Sequence, residues 1–183
     1  MKNTMKYIAL FLVLITAASC GPNLRPFTQN LYDQYQWSDN ELERIQFYLS
    51  DDVVLTRQLT GGSSEIISGE IKIIDGRKVE QVVIRRGTPG VLLFKPKQNR
   101  FAIGFESNAD ERYLIFGPNP KAGDRYSLLA SDWNRRDGTV TYDGRKWSVN
   151  SGSAFSSLMV DLKKINKVEN SSRTAGGRRV NGK

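Results

Sequence analysis

The sequence predicts a mainly β protein, a single antiparallel β-sandwich or partly closed barrel of about nine or ten short strands. Three observations carry that prediction. Apolar and polar residues alternate over much of the stretch from Phe47 to Leu162, the period of a sheet with one buried face. Turn residues interrupt the alternation roughly every ten positions, as they do in sandwiches and barrels. Two dipeptides, Asp75-Gly76 and Asp143-Gly144, each stand between alternating segments, and Asp-Gly in that setting is a strong signal for a type I′ hairpin.

The elements follow in chain order. Gly21-Pro22-Asn23-Leu24-Arg25-Pro26 cannot open a helix, because prolines lack a donor and hold the preceding residue extended. With Cys20 it reads as an extended tether over 20–26. Phe27, Leu31 and Tyr35 share one helical face and predict a turn or two of helix. Ser38-Asp39-Asn40-Glu41 has capping-box spacing and predicts a second helix over about 39–45. Trp37 is expected to staple it, with Leu42 and Ile45 facing the core. Residues 27–46 therefore form a short helical lead.

From Phe47 the period becomes that of strands, and residues 47–169 read as the β domain. Phe47 and Leu49 can begin a strand, and strands are expected at 53–59, at 70–74 and 77–84 around the first Asp-Gly turn, and at 139–142 and 145–149 around the second. Further strands are expected at 91–94, 101–105, 112–116, 126–130 and 157–162. Gly61-Gly62-Ser63-Ser64 and Lys97-Gln98-Asn99-Arg100 punctuate them, and Gly117-Pro118-Asn119-Pro120 is expected to end its strand at Phe116. The last segment, 170–183, carries Arg173, Arg178, Arg179 and Lys183, no acid, and Val180 as its one large aliphatic residue. Such a composition cannot offset its ordering entropy, so a disordered basic tail is expected, a solvated terminus or an arm for an anionic surface.

A search for catalytic chemistry returns mostly absences. The chain has no histidine and one cysteine, which excludes Ser-His-Asp and Cys-His catalysis and histidine-ligated zinc. Neither Ser-x-x-Lys, Gly-x-Ser-x-Gly, Gly-x-Gly-x-x-Gly nor a Walker A loop occurs. Asp51-Asp52, Asp110-Glu111, Asp132 and Asp137 could supply a glycosidase's carboxyl pair, and Asp51 with Asp52, or Asp132 with Asn134 and Asp137, a calcium site. All lie beside turn residues, where Asp and Asn serve the backbone, and that reading is preferred. No enzyme activity, cofactor or metal is expected.

Two surface features are the candidates for binding. Between Gln81 and Phe105 stand Arg85, Arg86, Lys95, Lys97 and Arg100 with no acid. If the strands near 82–86 and 91–95 pair, these bases gather on one rim, either guarding an edge or binding an anionic partner together with the tail bases. Trp133, Tyr142 and Trp147 cluster around the second hairpin, as cross-strand packing or as an exposed aromatic face.

The first twenty residues decide the setting. Lys2 and Lys6 precede an apolar run from Tyr7 to Ala18, and Ala17-Ala18-Ser19 lead into Cys20. The run is too short for a spanning helix, which needs roughly 20 apolar residues. The segment resembles a bacterial lipoprotein signal with its lipobox, of the looser form met in Bacteroidota. The Val140 to Trp147 hairpin and the Ser151 to Leu162 segment are likewise similar to small uncharacterised envelope lipoproteins of that group. The resemblance implies removal of residues 1–19 as a signal peptide, diacylation (palmitate or similar) of the Cys20 thiol, and membrane attachment through that anchor. Gly21 where an inner-membrane retention aspartate would stand implies the outer membrane. The lack of early acids implies its periplasmic face rather than the cell surface.

Cleavage removes Lys2 and Lys6 and no acid, which lowers the formal charge from +8 to +6 and leaves 164 residues. That length suits one domain with a substantial core. Behind an export signal, the anionic partners expected of such a surface are lipid headgroups or envelope proteins rather than nucleic acid. The function expected is an accessory or scaffold subunit of an outer-membrane complex for secretion, motility or uptake. The alternative is a barrel that binds a lipid or glycan. A ligand barrel needs an unfilled interior, and the bulky inward candidates Phe94, Phe101, Phe105 and Phe116 favour the scaffold.

Overall fold

A computed structural model describes residues 23–59, 69–74, 76–107, 111–134 and 137–169. Among these, twelve strands form two antiparallel sheets in a sandwich-like arrangement. The larger sheet runs in the order β1 (Leu24–Pro26), β12 (Leu158–Asp161), β2 (Phe47–Leu49), β6 (Pro89–Lys97), β7 (Arg100–Gly104), β8 (Tyr113–Asn119) and β9 (Arg125–Leu128). The smaller sheet runs β10 (Asp137–Tyr142), β11 (Arg145–Asn150), β3 (Val53–Gln58), β5 (Arg77–Ile84) and β4 (Glu70–Ile74).

One strand pair ties the sheets together. β2 pairs with β6 through Phe47 and Gly90, while their continuations β3 and β5 pair through Val53 and Ile84 in the other sheet. At the corner, Gly87 N–H donates to the Leu49 carbonyl at 2.7 Å and Leu49 N–H to the Thr88 carbonyl at 3.2 Å. Gly90 permits the close crossing, since a Cβ there would lie 2.7 Å from side-chain atoms of both Ile103 and Phe105.

The larger sheet curls until its two edges meet without closing into a barrel. Isolated bridges join Thr28 to Arg125 and Ser127 to Ser157. Tyr126 N–H donates to the Phe27 carbonyl at 3.0 Å and Leu128 N–H to the Ser156 carbonyl at 2.9 Å. Aromatic rings fill the curl. Phe27, Phe47, Phe101, Phe116 and Tyr126 are fully buried, and Phe27 meets Phe47 edge-on at 5.3 Å and Tyr126 at 4.9 Å. Each such pair adds about 0.5–1.5 kcal/mol beyond its buried area. Val53, Leu55, Val82, Ile84, Tyr142, Trp147 and Val149 of the smaller sheet join the same core.

The helical lead takes the expected form with shorter elements. Helix α1 spans Gln29–Tyr35, with Thr28 Oγ1 accepting from Leu31 N–H at 3.2 Å. Helix α2 spans Asp39–Leu42 rather than reaching residue 45, because Phe47 must already be extended in β2. The Glu41 carboxylate accepts from Ser38 N–H at 2.8 Å and Ser38 Oγ at 2.7 Å, which pulls the Glu41 carboxyl below its usual range. Trp37 is buried, with its ring stacked at 5.9 Å from Phe27 and 4.7 Å from Tyr35.

Five expectations are corrected. The tether is structured at Leu24–Pro26, where β1 pairs with β12, because β12 offers an edge and an extended Pro-flanked segment fits an edge strand. β8 continues past Phe116 to Asn119. Residues 117–119 pair with β9 alone, the one-sided position in which a proline's missing N–H is tolerated. The β domain ends in a helix, α3 (Leu162–Glu169). Its signals were Asp161, whose Oδ1 accepts from Lys163 N–H at 3.1 Å, and Leu162 with Ile165, packed on the core. The strands at 82–86 and 91–95 do not pair; they lie in different sheets. Phe94 faces outward, 43% exposed, because a register shift between Leu92 and Phe94 turns the strand's faces over at that point.

Candidate functional site

The sheet assignment divides the basic strip into parts. Arg85 and Arg86 follow β5 at the corner between the sheets. There Asp52 accepts from Arg86 N–H at 2.7 Å and from Arg85 Nη1 at 3.3 Å. Lys95 is paired with Asp39 of α2, and that hydrogen bond raises its pKa. Lys97 and Arg100 face each other across the exposed end of the β6–β7 hairpin. The strip is therefore not one rim. Cys20 and the tail bases Arg173, Arg178, Arg179 and Lys183 lie outside the described residues, as do Asp110 and Arg135-Arg136.

Two composite surfaces take the place of that rim. The first surrounds β1. A groove of about 600 Å³ is lined by Asn23, Leu24, Pro26, Arg86, Phe155 and Met159, among others. A neighbouring groove of about 640 Å³ adds Arg25, Leu31 and Leu162, and Pro26 and Arg125 line both. Two strands and a corner thus place Arg86 and Arg125 beside one exposed aromatic, with Arg25 in the adjoining groove. Phe155, in the 3-10 turn Ser153–Phe155, is 75% exposed. Sequence reasoning missed Arg25, Arg125 and Phe155 as site residues, and no local signal marks them, because they meet only through the curl of the larger sheet.

The second surface lies on the outer face of β6, β7 and β8. Pairing places Val91, Gly104 and Tyr113 in one row and Phe94, Ala102 and Ile115 in the next. Phe94 and Tyr113 meet edge-on at 5.0 Å, and Val91 is 44% exposed. Lys97 and Arg100 stand at the hairpin end of the same strands. Contiguous exposed apolar residues with a polar margin commonly mark interaction surfaces.

The aromatic pair on the second hairpin is internal. Tyr142 and Trp147 are buried and meet at 88° and 6.3 Å, with Trp147 Nε1 donating to the Tyr142 carbonyl at 3.0 Å. The Tyr142 hydroxyl donates to Glu106, whose other oxygen accepts from Arg112 Nη1 at 2.7 Å. Burial first, then the Glu106 hydrogen bond, push the Tyr142 phenol well above its ordinary value. Arg57 sits 5.5 Å from the Trp147 ring centre and pairs with the fully buried Glu80. Glu80 also accepts from Gly69 N–H at 3.0 Å. The first network ties β10 to the connection between β7 and β8 of the larger sheet, and the second ties β3 to β5 within the smaller.

Of the turn residues, Asp52 accepts from a backbone N–H, that of Arg86, at 2.7 Å. Asn134 Oδ1 accepts from Asp137 N–H at 2.7 Å, Asp132 adopts the left-handed region at φ 51°, and Asp51 accepts from its neighbour Ser50 Oγ at 2.8 Å. Among the described residues, no three His, Cys, Asp or Glu side chains converge as a metal site, and no helix is long and apolar enough to cross a membrane. No protein-family model, curated protein or solved structure matches the chain.

Proposed function

We propose that this protein is a non-catalytic lipid-anchored envelope protein, held at the periplasmic face of the outer membrane through acyl chains on Cys20. There it acts as an accessory or scaffold subunit of an outer-membrane complex. One observation carries the reading most directly. Leu24, four positions after Cys20, already belongs to the larger sheet, so an anchor on that cysteine would hold the body close to the bilayer. The packed interior supports a scaffold over a carrier, since Phe27, Phe47, Phe101 and Tyr126 occupy the space a lipid or glycan would need.

The outer face of β6–β8 is the docking surface assigned to the protein partner. Apolar and aromatic residues supply most of the binding energy at such faces. Crosslinking in intact cells, followed by affinity isolation, is expected to recover one outer-membrane protein in stoichiometric amount. The F94E variant is expected to lower that recovery at least about tenfold, the loss of a central aromatic anchor, with its melting temperature unchanged. Recovery of a bound lipid in place of a protein would refute the scaffold role. Undiminished recovery with F94E would move the docking surface elsewhere.

A further inference from the structure

The grooves around β1 lie where the chain enters the fold. Asn23 and Leu24 line the groove that also holds Phe155 and Arg86. The three residues from Cys20 to Asn23 span at most about 11 Å when fully extended. Acyl chains on Cys20 would therefore seat this face, and not the opposite end of the molecule, against the bilayer.

The chemistry of the face suits that position. Phe155 projects a ring that is 75% exposed from a short turn, and aromatic rings partition favourably into the headgroup region. Arg86 and Arg125 line the same groove and Arg25 lines the adjoining one, and all three residues are exposed. No side-chain ion pair to a carboxylate engages any of the three among the described residues. Asp51 is the acid that lines the same groove, so the surface carries net positive charge. Guanidinium groups bind phosphate with paired hydrogen bonds.

From these observations, which rest on the reading of Cys20 as an acylated anchor, we infer that the β1 face is a second membrane contact. Phe155 enters the headgroup layer beside the acyl chains, and Arg25, Arg86 and Arg125 bind lipid phosphates. The contact fixes the orientation of the body. It turns the outer face of β6–β8 into a surface presented at a set angle rather than one swinging on a flexible tether.

Fluorescence in lipid vesicles tests this. Trp37 and Trp147 are buried and Trp133 is exposed, so the acylated full-length mature protein is prepared as W133F and as W133F/F155W. Each is reconstituted in vesicles of phosphatidylethanolamine with roughly a quarter phosphatidylglycerol, with and without bromine on the acyl chains. The F155W protein is expected to lose about half of its added emission to the brominated lipid, the depth of an interfacial side chain. The W133F protein is expected to lose little. Adding R25Q/R86Q/R125Q is expected to reduce that quenching, as is high salt, because exposed charge contacts are screened.

Equal emission of the F155W protein in both vesicle types, with acylation of Cys20 confirmed by mass, overturns the contact and leaves the anchor standing. Quenching that survives loss of all three arginines overturns their phosphate role. An unmodified Cys20 in the protein isolated from its own membrane overturns the anchor and the orientation together.

Discussion

At the scale of single residues, two buried phenols have the most to say. Tyr126 and Tyr142 are both fully buried. Tyr126 donates to Gln29 Oε1 at 2.9 Å and Tyr142 to Glu106. Burial is the first cause of the upward shift of each from the ordinary value of 10.0. A group whose pKa rises on folding holds its proton more tightly in the folded state. Its contribution to stability is complete below the unfolded value and is lost as pH climbs beyond it. Stability against urea is therefore expected to decline above about pH 10. The Y126F/Y142F variant should flatten that decline, at a cost near neutral pH of about 1–3 kcal/mol for each lost hydrogen bond. Urea midpoints measured from about pH 8 to pH 11 read both effects. An unchanged alkaline slope in the variant would assign the decline to other groups. The Arg57–Glu80 pair belongs to this scale too. With Glu80 fully buried, removing only its partner would cost about 3–5 kcal/mol, which identifies the pair as a structural commitment of the smaller sheet.

At the scale of elements, the hairpin of β10 and β11 shows how local chemistry becomes topology. Asp143 has φ 53° and Gly144 φ 66°, both positive as a type I′ turn requires. The six-pair ladder from Asp137–Asn150 to Tyr142–Arg145 follows from that turn. A Cβ at Gly144 would meet nothing within 4 Å, so a substitution there acts through backbone conformation alone. G144A is expected to destabilise by about 1–2 kcal/mol, and G144N by less, since Asn tolerates the left-handed region. Thermal melts of the two variants decide it, and equal losses would contradict the backbone explanation. The first Asp-Gly turn joins β4 to β5 in the expected register, with Gly76 at φ 74° and Asp75 outside the described residues. β6 teaches the opposite lesson. Its alternation predicts Phe94 inward, yet a bulge inserts one residue and sends the ring to the surface. A bulge has no reliable signature in the residues that form it, because the partner strand decides whether it is tolerated.

At the scale of the whole molecule, the central matter is how the body meets the membrane. Several acyl chains hold stably where one holds only reversibly. With an anchor on Cys20, the wild-type protein is expected to stay with membranes in high salt and in carbonate. The C20S variant is expected to be released, and centrifugal partition of cell fractions measures the difference. Unchanged partition of C20S would remove the address proposed for this protein. The same scale explains the mixed outcome for the candidate site. Each basic residue was visible in the sequence, but their grouping was not. Arg85 and Lys95 are ten positions apart, yet Arg85 sits at the corner between the sheets and Lys95 in β6 of the larger one, whereas Arg25, Arg86 and Arg125 are far apart in sequence and line adjoining grooves.

What the chain determined by itself is the set of local choices. Period-two alternation, the Asp-Gly turns, the Ser38–Glu41 cap and the lack of histidine each act within a few residues, so each is legible without a fold. What only the tertiary structure decided is adjacency: the capture of Leu24–Pro26 by β12, the outward turn of Phe94, and the meeting of Arg86 and Arg125 beside Phe155 with Arg25 in the next groove. Those contacts depend on which edges remain open once the sheets have formed and curled. That outcome rests on the summed packing of the whole core, and no short stretch of sequence contains it.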